Sequence, residues 1–159
     1  MAAINSGYRA VRPVVSCILK NGVCERPIYV LYDSGCSSAA ILTVAAMSVQ
    51  ITPTSRYCKL STFDNDECAF RDFASFEIVS LDGAVRVKVA DALVGDSLTV
   101  QGDRPPTNAE IMPFEYLSGV MFDELEDETI GVILGAPYAW LWMEGETRFH
   151  SPEYPLAKH

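Results

Sequence analysis

Histidine is nearly missing: His150 and His159 are the only two in 159 residues, and both lie near the end of the chain. That is too few to anchor a His-based metal cluster or a His-dependent catalytic triad. The five cysteines, Cys17, Cys24, Cys36, Cys58 and Cys68, are odd in number and include no Cys-x-x-Cys pair. Neither a disulfide framework nor a structural zinc site fits, so free thiols and a cytosolic setting are expected. Basic residues are scarce as well. Twelve Lys and Arg stand against 21 Asp and Glu, a formal charge of -9, with no basic cluster to neutralise a run of phosphates. Nucleic acid is not expected as a direct ligand. The longest mostly apolar stretches, around Ile28 to Tyr32 and Ile130 to Leu141, fall short of the roughly 20 residues a membrane helix needs. Met1 to Tyr8 lacks the basic and apolar regions of a secretory signal.

What remains is ordinary globular composition, 49% hydrophobic and 21% charged, in a length that suits a single domain over 1–159 with its core in about 12–150. Strand signals dominate. Arg12 to Leu19 and Val23 to Tyr32, rich in Val, Ile and Tyr, flank Asn21-Gly22, a favoured two-residue hairpin turn. That register sets Leu19 opposite Cys24 and Cys17 opposite Arg26, so no Cys17–Cys24 disulfide is expected. Ala39 to Leu42 reads as a short strand, with Thr43 as N-cap of a brief helix through Val49 that Pro53 stops. Phe70 to Ser80 and Ala84 to Leu93 surround Asp82-Gly83, and Val85, Val87 and Val89 alternate with Arg86 and Lys88, the period of a half-buried strand. The stretch 102–128, with Pro105, Pro106 and Pro113 and an acidic end, reads largely as loop. Ile130 to Leu134 then reads as a buried strand, broken at Gly135 and followed by a short helix with Pro137 in its first turn. The expected class is all-β with one or two short helices.

With histidine and metal clusters set aside, the chemistry falls to carboxylates. Asp33-Ser34-Gly35 follows the apolar run Val30-Leu31-Tyr32 and is trailed by Cys36, Ser37 and Ser38. A carboxylate is thus held at a strand end. Glycine permits a tight turn with exposed amides, and small neighbours let a second loop or a substrate strand come close. Alone, Asp-Ser-Gly is also ordinary turn chemistry. The second element lies about a hundred residues on, where Val132-Ile133-Leu134-Gly135 runs into Ala136-Pro137-Tyr138-Ala139-Trp140.

Together these two motifs resemble the retropepsins, and most closely the retropepsin-like peptidase domain of BEL/Pao-type retrotransposon polyproteins. The resemblance covers roughly residues 12 to 150, with strong identity confined to the two motifs. It implies a closed β-barrel and an aspartic endopeptidase that processes its own polyprotein. Asp33, Ser34 and Gly35 take the catalytic positions by this resemblance. Two such carboxylates in contact share one proton; the charged one draws a proton from a water that attacks the scissile carbonyl, and the other donates to the carbonyl oxygen. No metal or cofactor is implied. One Asp-Ser-Gly per chain makes a homodimer obligatory, the two-fold axis passing between the two copies of Asp33. The resemblance gives the Ser34 hydroxyl a bond across the dimer and lets Gly135, after Leu134, pack beneath the catalytic loop. A dimer doubles the charge of -9, so acid or salt should favour association.

The chain departs from the family pattern in three places. Pro137 stands where Asp is usual, and Cys36 where Ala or Ser is commoner. The region of the flap, about Cys58 to Phe70, with Leu60, Ser61, Thr62 and Phe63 as substrate-binding candidates, lacks the usual glycines. These departures motivate an alternative, a domesticated copy kept as a non-catalytic dimerisation or peptide-binding module. Elsewhere, Tyr138, Trp140 and Trp142 read as core aromatics rather than a ligand groove. Asp123, Glu124, Glu126, Asp127 and Glu128, like Asp64 and Asp66, read as solvated acidic turns, lacking the spacing of a calcium loop. Nothing in the spacing supports a glycosidase pair with Asp33.

Overall fold

The computed structural model describes residues 13–61, 66–98, 107–142, 147–148 and 157–158. β1 (Val14–Asn21) and β2 (Cys24–Tyr32) form the first hairpin, β3 (Ala40–Leu42) leads into α1 (Thr43–Ser48), and β4 (Thr54–Ser61) pairs with the long β5 (Asp66–Ser80). β6 (Arg86–Gly95) returns along β5; β7 (Ile130–Leu134) follows a lobe holding α2 (Asn108–Ile111) and a 3₁₀ turn (Glu115–Leu117). A 3₁₀ segment, Ala136–Trp142, continues from β7, and two-residue strands β8 (Thr147–Arg148) and β9 (Ala157–Lys158) pair near the end.

The main sheet runs β1-β2-β7-β3-β6-β5-β4, and a further pairing of β1 with β5 closes the first six into a barrel. The all-β barrel class expected from the sequence is the one observed. Following partners round the ring from Phe73 through Leu93, Ala40, Ile133, Leu31 and Val14 returns to β5 with a stagger of about ten residues. Such tilt leaves an interior that side chains fill. Leu19, Ile28, Val30, Ile41, Phe76, Ile78, Val87, Val89 and Val132 fill it, with α1 contributing Ala45 and Ala46.

β7 joins distant parts of the chain. It lies between β2 and β3, parallel to the first and antiparallel to the second, so two strands adjacent in sequence are held apart by one about a hundred residues later. All five of its residues are buried, as expected of a strand covered on both faces. Gly131 fits there because a Cβ would run into the end of Ile28.

Several local expectations need correction. The first hairpin turns at Gly22-Val23 rather than Asn21-Gly22: Asn21 pairs with Cys24, Leu19 with Arg26 and Cys17 with Ile28. Gly22 adopts φ 60 and no residue beside it does, the requirement for glycine at the first central position of a II′ turn. Asn21 instead donates its amide to the carbonyl oxygens of Val49 and Gln50. Thr43 is the first helical residue, not the cap, and its hydroxyl donates to Asp96. The clean alternation of β6 breaks after Val89 at a bulge, where Asp91 takes φ 54 and the next buried residue is Ala92.

The loop expected over 102–128 is more ordered than its prolines suggest; 102–106 lie outside the described residues. Thr107 and Glu110 form a capping box on α2, and Asn108 pairs its side-chain amide with both backbone groups of Phe122. Ile111, Leu117 and Val120 make a small core of their own. Among the aromatics read as core, Tyr138 packs on the barrel, whereas Trp140 is 53% exposed; the 3₁₀ twist turns it outward. The Trp142 side chain lies outside the described residues. No described helix is long and apolar enough to cross a membrane.

Candidate active site

Asp33 stands where β2 leaves the barrel. Its N–H donates to Leu134 O at 3.0 Å, extending the β2–β7 ladder one step beyond the strand. A β-turn follows, closed by Cys36 N–H on Asp33 O at 3.0 Å. The carboxylate is fixed inside that turn: Gly35 N–H donates to Oδ1 at 2.9 Å, and the Cys36 thiol donates to Oδ2 at 3.3 Å.

Glycine at 35 has a different reason from the one its place in a turn suggests. Its φ is not in the left-handed region; an added Cβ would lie 3.1 Å from Asp33 Oδ1. Position 35 is therefore a matter of room beside the carboxylate. The two sequence motifs, a hundred residues apart, are laced directly together. Ala136 N–H donates to Cys36 O at 2.8 Å, and a Cβ on Gly135 would fall well within 3.0 Å of the carbonyl oxygens of Cys36 and Ser38. Pro137 causes no conflict in this setting, because the 3₁₀ turn closes through Tyr138 N–H on Gly135 O and asks nothing of position 137.

Ser34, Gly35, Ser37 and Ser38 are exposed and Asp33 half-buried, leaving the small-residue loop open to a second molecule. The loop and its supports, 33–42 and 130–142, contain no acid other than Asp33 and no Lys, Arg or His. Their titratable groups are Asp33, Cys36 and Tyr138. A second carboxylate for an acid–base pair is thus not supplied by these segments.

The flap candidates divide. Leu60 and Ser61 lie at the end of β4, paired with Glu67 and Asp66, while Thr62 and Phe63 lie outside the described residues. β5 keeps its partner β6 only from Phe73 onward, so β4 and the first half of β5 extend as a two-stranded arm. Tyr57 and Phe70, 65% and 70% exposed, meet edge to face on it at 5.4 Å.

Among the described residues no group of three His, Cys, Asp or Glu is placed to hold a metal ion, and all five cysteines are unbridged. Burial pushes the Cys17 thiol up to about 11. The acidic residues behave individually: Asp82 is held below the usual carboxylate range by the Ser80 hydroxyl, and Asp66 by Lys59. A cleft of about 350 Å³ lies elsewhere, lined by Asn21, Thr54, Phe73 and Ser75, but its cation Arg56 already stacks on Phe73 and bridges Asp91 at 2.9 Å. It shares no residue with the Asp33 loop.

The chain matches no family model, no curated protein and no solved structure.

Proposed function

We propose that the protein is an aspartic endopeptidase that acts as a homodimer, each chain lending one Asp33. The observation that carries this reading is the locked turn: a half-exposed carboxylate at a strand end, its oxygens fixed by Gly35 and Cys36, its loop braced from beneath by Leu134 and Gly135. The loop and its supports, 33–42 and 130–142, carry no second acid, and in this reading the second carboxylate comes from another copy of the chain. Two such carboxylates brought together share one proton, one acting as base toward water and the other as acid toward the scissile carbonyl. Ser34, exposed at the loop's outer edge, supplies the hydroxyl that ties the two loops, and the β4–β5 arm serves as the flap. No metal or cofactor takes part in this scheme.

The resemblance to BEL/Pao-type domains makes the parent polyprotein the natural substrate, and five free thiols suit a reducing compartment such as the cytosol. The test combines peptide hydrolysis at mildly acid pH with sedimentation. Asp33→Asn should abolish cleavage and pepstatin-type inhibition while leaving the fold and dimer intact. Undiminished turnover in that variant would refute the assignment; a stable wild-type dimer that neither cleaves nor binds inhibitor would favour a non-catalytic module.

A further inference from the structure

Beside the Asp33 loop, the outer face of the barrel carries an apolar surface that the chain covers with its own residues. Alternation along β2 turns Ile28, Val30 and Tyr32 to the interior and places Tyr29 and Leu31 on the face from which Asp33 departs. Tyr29 and Leu31 cluster with Val14, Ile130 and Ile133. Cys36, whose thiol reaches Asp33 Oδ2, packs on the same cluster. The apolar surface therefore runs up to the carboxylate. It is closed nonetheless: Leu31 is 0% exposed and Ile133 9%, under Leu98 and Leu125.

Leu125 is the single apolar residue of Asp123-Glu124-Leu125-Glu126-Asp127-Glu128. The described residues 121–129 form no helix or strand and, outside the strand ladders, make no backbone–backbone hydrogen bond with another described residue. Their ties run through side chains. Leu125 N–H donates to the Tyr29 hydroxyl at 2.7 Å, and that hydroxyl donates to Asp123 O at 3.3 Å. Arg26 bridges Asp127 at 3.0 Å between two exposed groups, and Asn108 holds Phe122 and Glu124 at the segment's start. A segment with so few anchors opens at low cost.

We propose that this strap is an internal occupant of the peptide-binding surface, with Leu125 seated where an apolar side chain of a bound peptide goes. The inference rests on the peptidase reading. A peptide lying across the open Asp33 loop extends onto this surface by displacing Leu125, which selects bulky apolar side chains, and the five acidic residues around it disfavour acidic peptides.

The experiment uses the full chain, a statine-based peptide inhibitor with leucine side chains, and hydrogen–deuterium exchange across 121–129. Tyr29→Phe removes the hydroxyl that holds the strap, and Leu125→Ser removes its apolar plug. The inhibitor should raise exchange in 121–129, and each variant should bind it about five- to tenfold tighter, with kcat/KM on apolar peptides rising equally. Tyr29→Phe keeps its ring in the core, so a folding defect in Leu125→Ser leaves the test standing. If the inhibitor binds, 121–129 exchange as before and both variants bind like wild type, the strap is refuted and the peptidase reading survives. If neither wild type nor variants bind inhibitor or cleave peptide, the peptidase reading falls and the strap with it.

Discussion

Gly135→Ala should be the most damaging single methyl group in this chain. The added Cβ would press on the carbonyl oxygens of Cys36 and Ser38, and both are backbone atoms that cannot rotate aside. Relief requires the Asp33 loop to move away from β7 by about an ångström, which strains the bonds on either side of the glycine, Asp33 N–H to Leu134 O and Ala136 N–H to Cys36 O. Overpacking of this kind costs about 2–3 kcal/mol, which for a domain of this size is a fall in Tm of roughly 4 to 12 °C. Gly131→Ala is the matched control: its Cβ meets chiefly the flexible end of Ile28, which can adjust, so the cost should be about 1 kcal/mol. Calorimetry or chemical denaturation of both variants reads the difference, with peptide hydrolysis alongside. A Gly135→Ala protein as stable as wild type, or one no worse than Gly131→Ala, would refute the close packing on which the site's geometry depends.

Cys17, with its thiol raised to about 11 by burial, should resist alkylation at pH 8 in the native protein, its thiolate being about one part in a thousand; exposed Cys68 should react first, as peptide mapping would show. Asn108→Ala removes both bonds to Phe122 and should speed hydrogen exchange in 107–122 while leaving barrel amides protected. Protection spreading unchanged through both regions would contradict the side-chain tie. Asp127 is held below the usual carboxylate range by the Thr129 hydroxyl first, then its N–H, with Arg26 adding. A lowered folded value means its contribution is present above the unfolded value of about 3.9 and is lost as pH falls through the lower folded one. Strap exchange should therefore accelerate only below about pH 4, and Asp127→Asn should remove that dependence.

The strand order of the barrel is harder to read than its strands. Apolar alternation in 85–89 and the runs at 28–32 and 130–134 announce strands because side-chain period is a local property. The insertion of β7 between β2 and β3 is not local, and no pattern in the sequence announces it. The first hairpin turns one residue later than expected, which shifts each cross-strand partner by two, because Asn-Gly is a stronger general turn signal than Gly-Val, whereas here Asn21 is occupied in tying the end of α1 to the barrel. The lobe after residue 106 was legible only in part. Its helices are four and three residues long, too short for a period, although Thr107-Asn108-Ala109-Glu110 carries the capping-box spacing that signals a helix start. At the site, the apolar run before Asp33 marks it as the end of a strand, while the place of Gly135 beneath it was implied only by the resemblance. It did not disclose the thiol bond from Cys36 or the cover over Leu31, since both depend on which side chains meet across the fold.

The proposed dependence of peptide hydrolysis on two copies of Asp33 is tested most directly by mixing. Wild-type and Asp33→Asn chains are combined in varying ratio under conditions of subunit exchange, and peptide hydrolysis is measured per total chain. If each active unit needs an ionisable carboxylate from both subunits, activity falls with the square of the wild-type fraction, to about a quarter in an equal mixture. A linear fall, to about one half, would mean that a single chain suffices and would contradict the shared site.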